Sequence, residues 1–430
     1  MILIYCPDLT ARKQYIFKHI FKRMMQTDYD VTSDLSAFVS HDGIKFSYGN
    51  KPLGDEMFIW SMGLLDEHGI DDHAIEMTFW DDLPAFFAAP ETSSLPFDIF
   101  SAAFYLITRY EEYLPQVKDE YGRYSPQESV AYKNNFLALP LVDLWMNKLS
   151  SELSVGEITL SRKRNTHKKI TFEIGSFYKY RHRGILVNLR SFSKSVRQLN
   201  LSRAVNQLRV LLNLAIDPYD NIQSILDVLR ATISGRSLRE QVIFFYHLGN
   251  FTGTDTGTTY KSKTYIEQIK HVGDYTNLGL RFSSNADQRQ VLQEEKRFEE
   301  LLKRPLGATM AAMSKISMPG HYKLLVDTKS VEDYSMGYVN MPGYRASTSQ
   351  PFYFYDLDYE VQTPLVIKPY ALHYNAIMMQ TLDGQMASVR SVKNSLKHSG
   401  GNLTVQFYLE HFDSEINSHA MKILKYLIDE

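Results

Sequence analysis

The chain has a single cysteine, Cys6, in 430 residues. An intramolecular disulfide is excluded, and so is a cysteine zinc cluster. Cys6 lies in the apolar run MILIYC and reads as a buried, inert thiol. That run is too short, and too soon followed by Asp8 and Lys13, to be a signal peptide. No stretch approaches the ~20 apolar residues of a membrane span. An excess of charge of one sign is also missing. The formal net charge of −2 argues against a broad electrostatic footprint for nucleic acid or anionic membrane. Internal repeats and long low-complexity segments are absent. The cytoplasm is the expected location. Histidines are scattered (His321, His373, His419), and none forms an HExxH pair with metal-binding spacing. Aromatic residues, by contrast, are plentiful, with 28 Tyr and 24 Phe. Such residues fill cores first and line sugar-binding grooves second. The apolar share of 44% and charged share of 22% are those of a globular protein. The length favours two domains over one core.

Periodicity divides the chain. ILIYC reads as a buried strand, and Thr10 as the N-cap of a helix over TARKQYIFKHIFKRMM. IKFSYG and MFIWSM read as short strands. Helices are expected over Ile99–Leu114 and Pro140–Leu153. The basic, polar stretch Ser154–Lys169 marks a boundary between domains 1–160 and 161–430. Beyond it, ITFEIG is a strand, followed by a long region rich in Arg, Ser and Leu. Helix Ile222–Ile233, strand QVIFFYHLG and helix Tyr265–Val272 follow. Next come strand NLGLRFSS, helix Ala286–Leu302, the apolar piece ATMAAMS and helix Pro319–Asp327. Strand-like SMGYV, PLVIKPYAL, a helix near Gly384–His398 and strand LTVQFYLEH complete the alternation. Alternating strands and helices predict an α/β fold with parallel strands, either a barrel or a doubly wound sheet. TGTDTGTT (Thr252–Thr259) lacks the Gly-Lys-Ser/Thr ending of a phosphate loop and reads as a flexible surface loop. The run Phe352–Tyr355 either packs in the core or offers a sugar-stacking face.

Two long segments carry a family resemblance: Leu95–Trp145, LPFDIFSAAFYLITRYEEYLPQVKDEYGRYSPQESVAYKNNFLALPLVDLW, and Glu332–Leu357, EDYSMGYVNMPGYRASTSQPFYFYDL. With the opening ILIYCPDLTARKQYIF and KPLGDE, they resemble a bacterial group of polysaccharide-deacetylase-like proteins of the NodB-homology kind, best known from Bacteroidetes. The resemblance implies an N-terminal α/β domain followed by a distorted (β/α) barrel of the polysaccharide-deacetylase type. It also implies a lineage of metal-dependent hydrolases. There an aspartate and two histidines hold a divalent ion such as zinc, and a second aspartate is the base.

This chain departs from that pattern at each motif. The strand that should carry the two aspartates reads Thr171-Phe172-Glu173-Ile174-Gly175. Glu173 keeps a carboxylate, whereas Gly175 cannot ligate a metal. Arg281 stands where a histidine is implied, and a guanidinium has no lone pair for a cation. Met310 and Ala312 replace an Arg-x-His pair. The final motif falls near Tyr408-Leu409-Glu410, with His411 one residue on. The resemblance makes Asp333, Tyr338, Tyr344, Arg345 and Thr348 pocket-lining, together with Arg281 and His411. No metal or other cofactor is expected to be bound.

Each residue also has a bland reading. Glu173 and Arg281 either pair inside the mouth of the barrel or point to solvent. Arg345 either grips a carboxylate or sugar hydroxyls, or ties loop carbonyls. His247 reads as a satisfied polar tip of a strand. Arg109, Glu111, Glu112 and Lys118 form a charged patch that either steadies the N-terminal domain or faces the other one. The leading expectation is a catalytically inactive deacetylase-like protein that binds a glycan or a protein partner in a polysaccharide or envelope pathway. The alternative is a carbohydrate deacetylase with a rebuilt centre that uses Glu173 as base. A third is a structural subunit with an empty pocket.

Overall fold

A computed structural model describes residues 1–154, 166–250, 255, 259–416 and 418–429. Most of the expected boundary segment, and most of the Thr252–Thr259 loop, lie outside these residues; the end of the boundary segment, from Thr166, is already strand. Apolar β1 (Ile2–Tyr5) is the buried centre of the first sheet. It pairs with β2 (Tyr29–Thr32) on one side and β3 (Lys45–Gly49) on the other, and β4 (Phe58–Trp60) extends beyond β3. All pairings are parallel. The Thr10 hydroxyl accepts from the Lys13 N–H at 3.2 Å. This caps the helix Ala11–Phe17, which continues as a π-helical stretch, Lys18–Met24. A small antiparallel hairpin follows, β5 (Met77–Trp80) with β6 (Leu83–Phe86).

The helix Ile99–Ile107 is buried on every side, capped by Asp98, whose carboxylate accepts from the Phe100 and Ser101 N–H groups. It ends sooner than the sequence pattern predicts. Arg109 adopts a left-handed backbone (φ 56°), a conformation that the Cβ of an L-residue disfavours and that cannot continue the helix. A short 3₁₀ turn, Tyr110–Glu112, follows. The kink turns Arg109 and Glu112 inward, and both are buried.

The second sheet contains β7 (Thr166–Ile174), β8 (Val242–His247), β9 (Asn277–Phe282), β10 (Ala308–Ala311), β11 (Glu332–Asp333), β12 (Phe352–Asp356), β13 (Val361–Ile367), β14 (Leu372–His373) and β15 (Gly401–Tyr408). Its order is β12-β13-β11-β10-β9-β8-β7-β15-β14, and every pair is parallel except β12 with β13. The strands most fully buried have the continuous apolar runs that two-sided burial demands. VIFFYH of β8 is buried at all six positions. The sheet curls. Gln406 on β15 donates from Nε2 to the Tyr334 carbonyl, just past β11, at 2.6 Å, although these strands are far apart in the ladder. Inside the curl, Ile243, Phe245, Ala308, Met310 and Tyr334 form a small apolar cluster of their own.

One expectation is corrected: residues 335–339, SMGYV, form no strand; Gly337 and the neighbouring turns serve an interlock described below. The Arg/Ser/Leu-rich region, to which the sequence pattern assigns no element, forms a pair of helices, Ile185–Arg197 and Leu201–Leu211. One apolar core runs through both sheets, and polar ties join them. Arg12 grips Glu360 (Nε–Oε2 2.9 Å), and the Tyr15 hydroxyl donates to the Tyr353 carbonyl at 2.7 Å.

Candidate functional site

The carboxyl ends of β7, β8, β9, β10 and β15 converge on a cluster of charged groups. Glu173 is the penultimate residue of β7, and Arg281 the penultimate residue of β9. Parallel pairing through β8 sets Glu173 opposite Phe245, and Arg281 opposite His247. The Arg281 Nε donates to Glu173 Oε1 at 3.0 Å, and its Nη1 reaches Asp255 Oδ1 at 2.5 Å. All three side chains are buried. Of the two readings left open by the sequence, the inward pair is the one observed. Asp255 belongs to the segment expected to be a surface loop. It is instead buried, and it also accepts from the Ser284 N–H at 2.8 Å.

Electrostatics follow from this arrangement. Burial pushes the Glu173 carboxyl up, partly offset by Arg281 and by the Met313 N–H, which donates to it at 3.2 Å. Two carboxylates hold Arg281 firmly charged against its own burial. Glu410, just beyond β15, also faces this cluster; burial, reinforced by Glu173, raises it to about 7. The space beside Gly175 opens toward Glu410, whose Oε1 would lie 3.5 Å from a Cβ placed there.

His247 Nε2 lies 2.8 Å from the Ser283 hydroxyl. Ser283 in turn donates to Glu294, which also accepts from the Ser283 N–H at 3.1 Å. Burial, aided by nearby Arg281, lowers His247 to about 4. It is a neutral strand-end tip, with its polar atom satisfied. Sequence reasoning missed a second pair. The His373 and His411 rings lie 5.7 Å apart with Tyr408 against both. Each Nδ1 accepts a backbone N–H, that of Asn375 for His373 and that of Tyr408 for His411. Each Nε2 is buried without a hydrogen-bond partner. Burial keeps both neutral, His411 down to about 3.

A cavity of about 290 Å³ opens beside these strand ends. Its floor includes Phe282, Ala311, Ala312 and Leu325, and its rim Ser284, Lys315 and His321. That volume is at the small end for ligand sites, roughly 300 Å³ and upward. Asp333 is fully buried behind it, accepting from the Ser335 N–H and hydroxyl at 2.9 Å each. His321 Nε2 stands 3.9 Å from Asp333.

The remaining residues expected in the pocket have other partners. The Arg345 fork binds Glu112 twice, Nε–Oε1 at 2.8 Å and Nη2–Oε2 at 2.6 Å. Glu112 also accepts from Arg109 at 2.8 Å. Thr348 and Ser349 both donate hydroxyls to Asp143 at 2.5 Å. The Tyr344 hydroxyl meets Ser395 at 2.9 Å, and Tyr338 lies between Arg109 and Arg345. Tyr338 and Arg345 border only a crevice of about 30 Å³. Segments 95–145 and 332–357 thus interlock with each other. Gly343 adopts φ +145°, and a Cβ there would come within 2.7 Å of the Leu137 carbonyl oxygen. At Gly337 a Cβ would strike the Tyr370 ring at 2.5 Å.

Met310, at one position where the resemblance implies a polar group, belongs to the inner apolar cluster. Among the described residues no group of three or more His, Cys, Asp or Glu side chains is disposed to hold a metal ion. The donor set at the implied positions, a glycine, a guanidinium, a thioether and a methyl group, does not fit a divalent metal.

Residues 2–156 match the model of a family of unknown function (DUF7033). No curated protein matches the chain. One solved structure, described as a "putative polysaccharide deacetylase from Mycobacterium smegmatis", aligns over 64% of this chain and 87% of its own, with 13% sequence identity and a TM-score of 0.38. The likeness is distant. No helix among the described residues is long and apolar enough to cross a membrane.

Proposed function

We propose that the chain is a deacetylase-type barrel without metal-dependent catalysis, serving as a binding protein for a glycan or a protein partner of a polysaccharide or envelope pathway. The observation that carries this reading is the Arg281 guanidinium, buried against Glu173 and Asp255 at the strand end where the family resemblance implies a metal-binding histidine. A fixed cation there repels a dication and consumes the carboxylate that would otherwise serve as base. The cavity beside Ser284, Lys315 and His321 is the space proposed for a ligand. Its mixed lining suits hydroxyl groups over an apolar floor.

Elemental analysis of purified protein, after incubation with zinc and desalting, tests the reading. Substoichiometric metal is expected. One tightly held ion per chain overturns it. Calorimetric titration with acetylated oligosaccharides should give binding heat without acetate release. Release of acetate, abolished in Glu173→Gln, would establish the rebuilt-hydrolase reading instead.

A further inference from the structure

The helix pair Ile185–Arg197 and Leu201–Leu211 is amphipathic the wrong way round for a core element. Its inward positions are Ser195, Ala204, Gln207 and Val210, and polar bonds hold its helices to each other and to the body. Asn188 donates to the Tyr180 carbonyl at 3.0 Å, Gln207 to the Asn188 carbonyl at 2.9 Å, and Asn206 to Glu415 at 2.6 Å. The apolar stripes face outward. On the first helix the stripe is Ile185, Leu189, half-buried Phe192 and Val196; on the second it is Leu201, Val205, Leu208 and Leu212. Both repeat at i, i+4, i+7 and i+11, the spacing of one helical face. The connections add Leu199, 85% exposed, and Ile216, 75% exposed. Scattered apolar residues need no explanation, but stripes this dense mark an interaction surface.

Charge identifies the occupant. Between Glu173 and Asp217 there is no acidic residue, while Lys and Arg recur throughout. Arg190, Lys194, Arg197 and Arg209 are exposed, and no ion pair among the described residues involves them. The near-neutral balance of the whole chain conceals this local excess. A second copy docked on this face would set these cations against one another. Anionic headgroups above an apolar layer match both properties of the face at once. We infer that the hairpin 185–216 docks the protein on an anionic lipid surface, with the leucine stripes in the headgroup–acyl boundary and the basic residues on the phosphates. This inference is independent of the glycan-binding proposal.

The test is sedimentation of the full chain with phosphatidylcholine vesicles, with and without phosphatidylserine. Binding is expected only with phosphatidylserine, weakening at high salt. Each of R190Q, K194Q, R197Q and R209Q should lower partitioning about fivefold. The double variant L189E/L208E should abolish it. These positions are exposed, so unchanged circular dichroism and melting should accompany the loss. Absence of phosphatidylserine-dependent binding, or full binding by L189E/L208E, overturns the inference. So does gel filtration showing that L189E/L208E dissolves a dimer while vesicles capture nothing, which would make the face a contact between copies.

Discussion

Removing the Arg281 guanidinium would leave Glu173 and Asp255 buried side by side with no cation between them. Arg281→Ala is therefore expected to cost about 3–5 kcal/mol, read as a lower urea midpoint, with Arg281→Lys intermediate. An unchanged midpoint would mean that the three side chains are solvated. Titration gives a second test at this scale. Glu410 titrates near 7 in the folded chain because burial and Glu173 disfavour its charge. An unfolded glutamate ionises near 4.3. Its contribution to stability is thus full below that value and is lost as pH rises through 7. Relative to Glu410→Gln, the parent should lose about 1–3 kcal/mol of stability between pH 4 and pH 8, and a difference that does not change with pH would refute this. His247 and His411 act with the opposite sign. Their folded values, about 4 and about 3, lie below that of an unfolded histidine. Their stabilisation is present above about 6.5 and is lost as the solution is acidified. The Glu173–Arg281 pairing was legible in the sequence as one of two alternatives, because parallel strand ends bring neighbouring positions together. Asp255 was not, since a single acid in a Gly/Thr run resembles solvent-exposed loop until its partner is known. The His373–His411 contact was equally hidden, because it joins two strand ends separated along the chain.

Elements defined by long apolar or capped patterns were legible: β1, β8, β9, β15, and the helices that begin after Thr10 and near Pro140. The hairpin 185–216 was not read as helical, because its long apolar side chains look outward and its buried face mixes small, polar and apolar residues. The early end of the Ile99–Ile107 helix was hidden for a different reason. Arg109 leaves helical geometry to reach Glu111 and Glu112, a tertiary demand that local propensity does not express. The loop 335–351 was expected to line a pocket. It instead holds the buried ties to Glu112 and Asp143, and Gly343 permits the close backbone approach to Leu137. Gly343→Ala combines a strained left-handed backbone with a clash against a carbonyl. It should lower the melting temperature by several degrees, whereas Gly175→Ala, whose Cβ would meet Glu410 only at an ordinary contact distance of 3.5 Å, should be close to neutral. A tolerated Gly343→Ala would show that the interlock is loose.

Across the whole molecule the two sheets share one apolar core, and their charged partners are exchanged between distant parts of the chain. Glu112 neutralises Arg345 and shares Arg109 with Glu111, so Glu112→Gln leaves the buried Arg345 guanidinium without an anion. The expected loss is about 3–5 kcal/mol, and it should weaken both sheets equally. Near- and far-ultraviolet circular dichroism should therefore report one coincident unfolding transition in the parent and in the variant. Separate transitions would show that the halves fold independently. The grip of Arg12 on Glu360 has a consequence for biosynthesis. The two residues are 348 positions apart, so at about 5–20 residues per second the ribosome needs about 20–70 s to deliver the second after the first. Throughout that interval the nascent first helix carries a cation with no counter-ion to receive it. The first sheet pairs within residues 2–60, so its strands can assemble long before this tie to the second sheet closes.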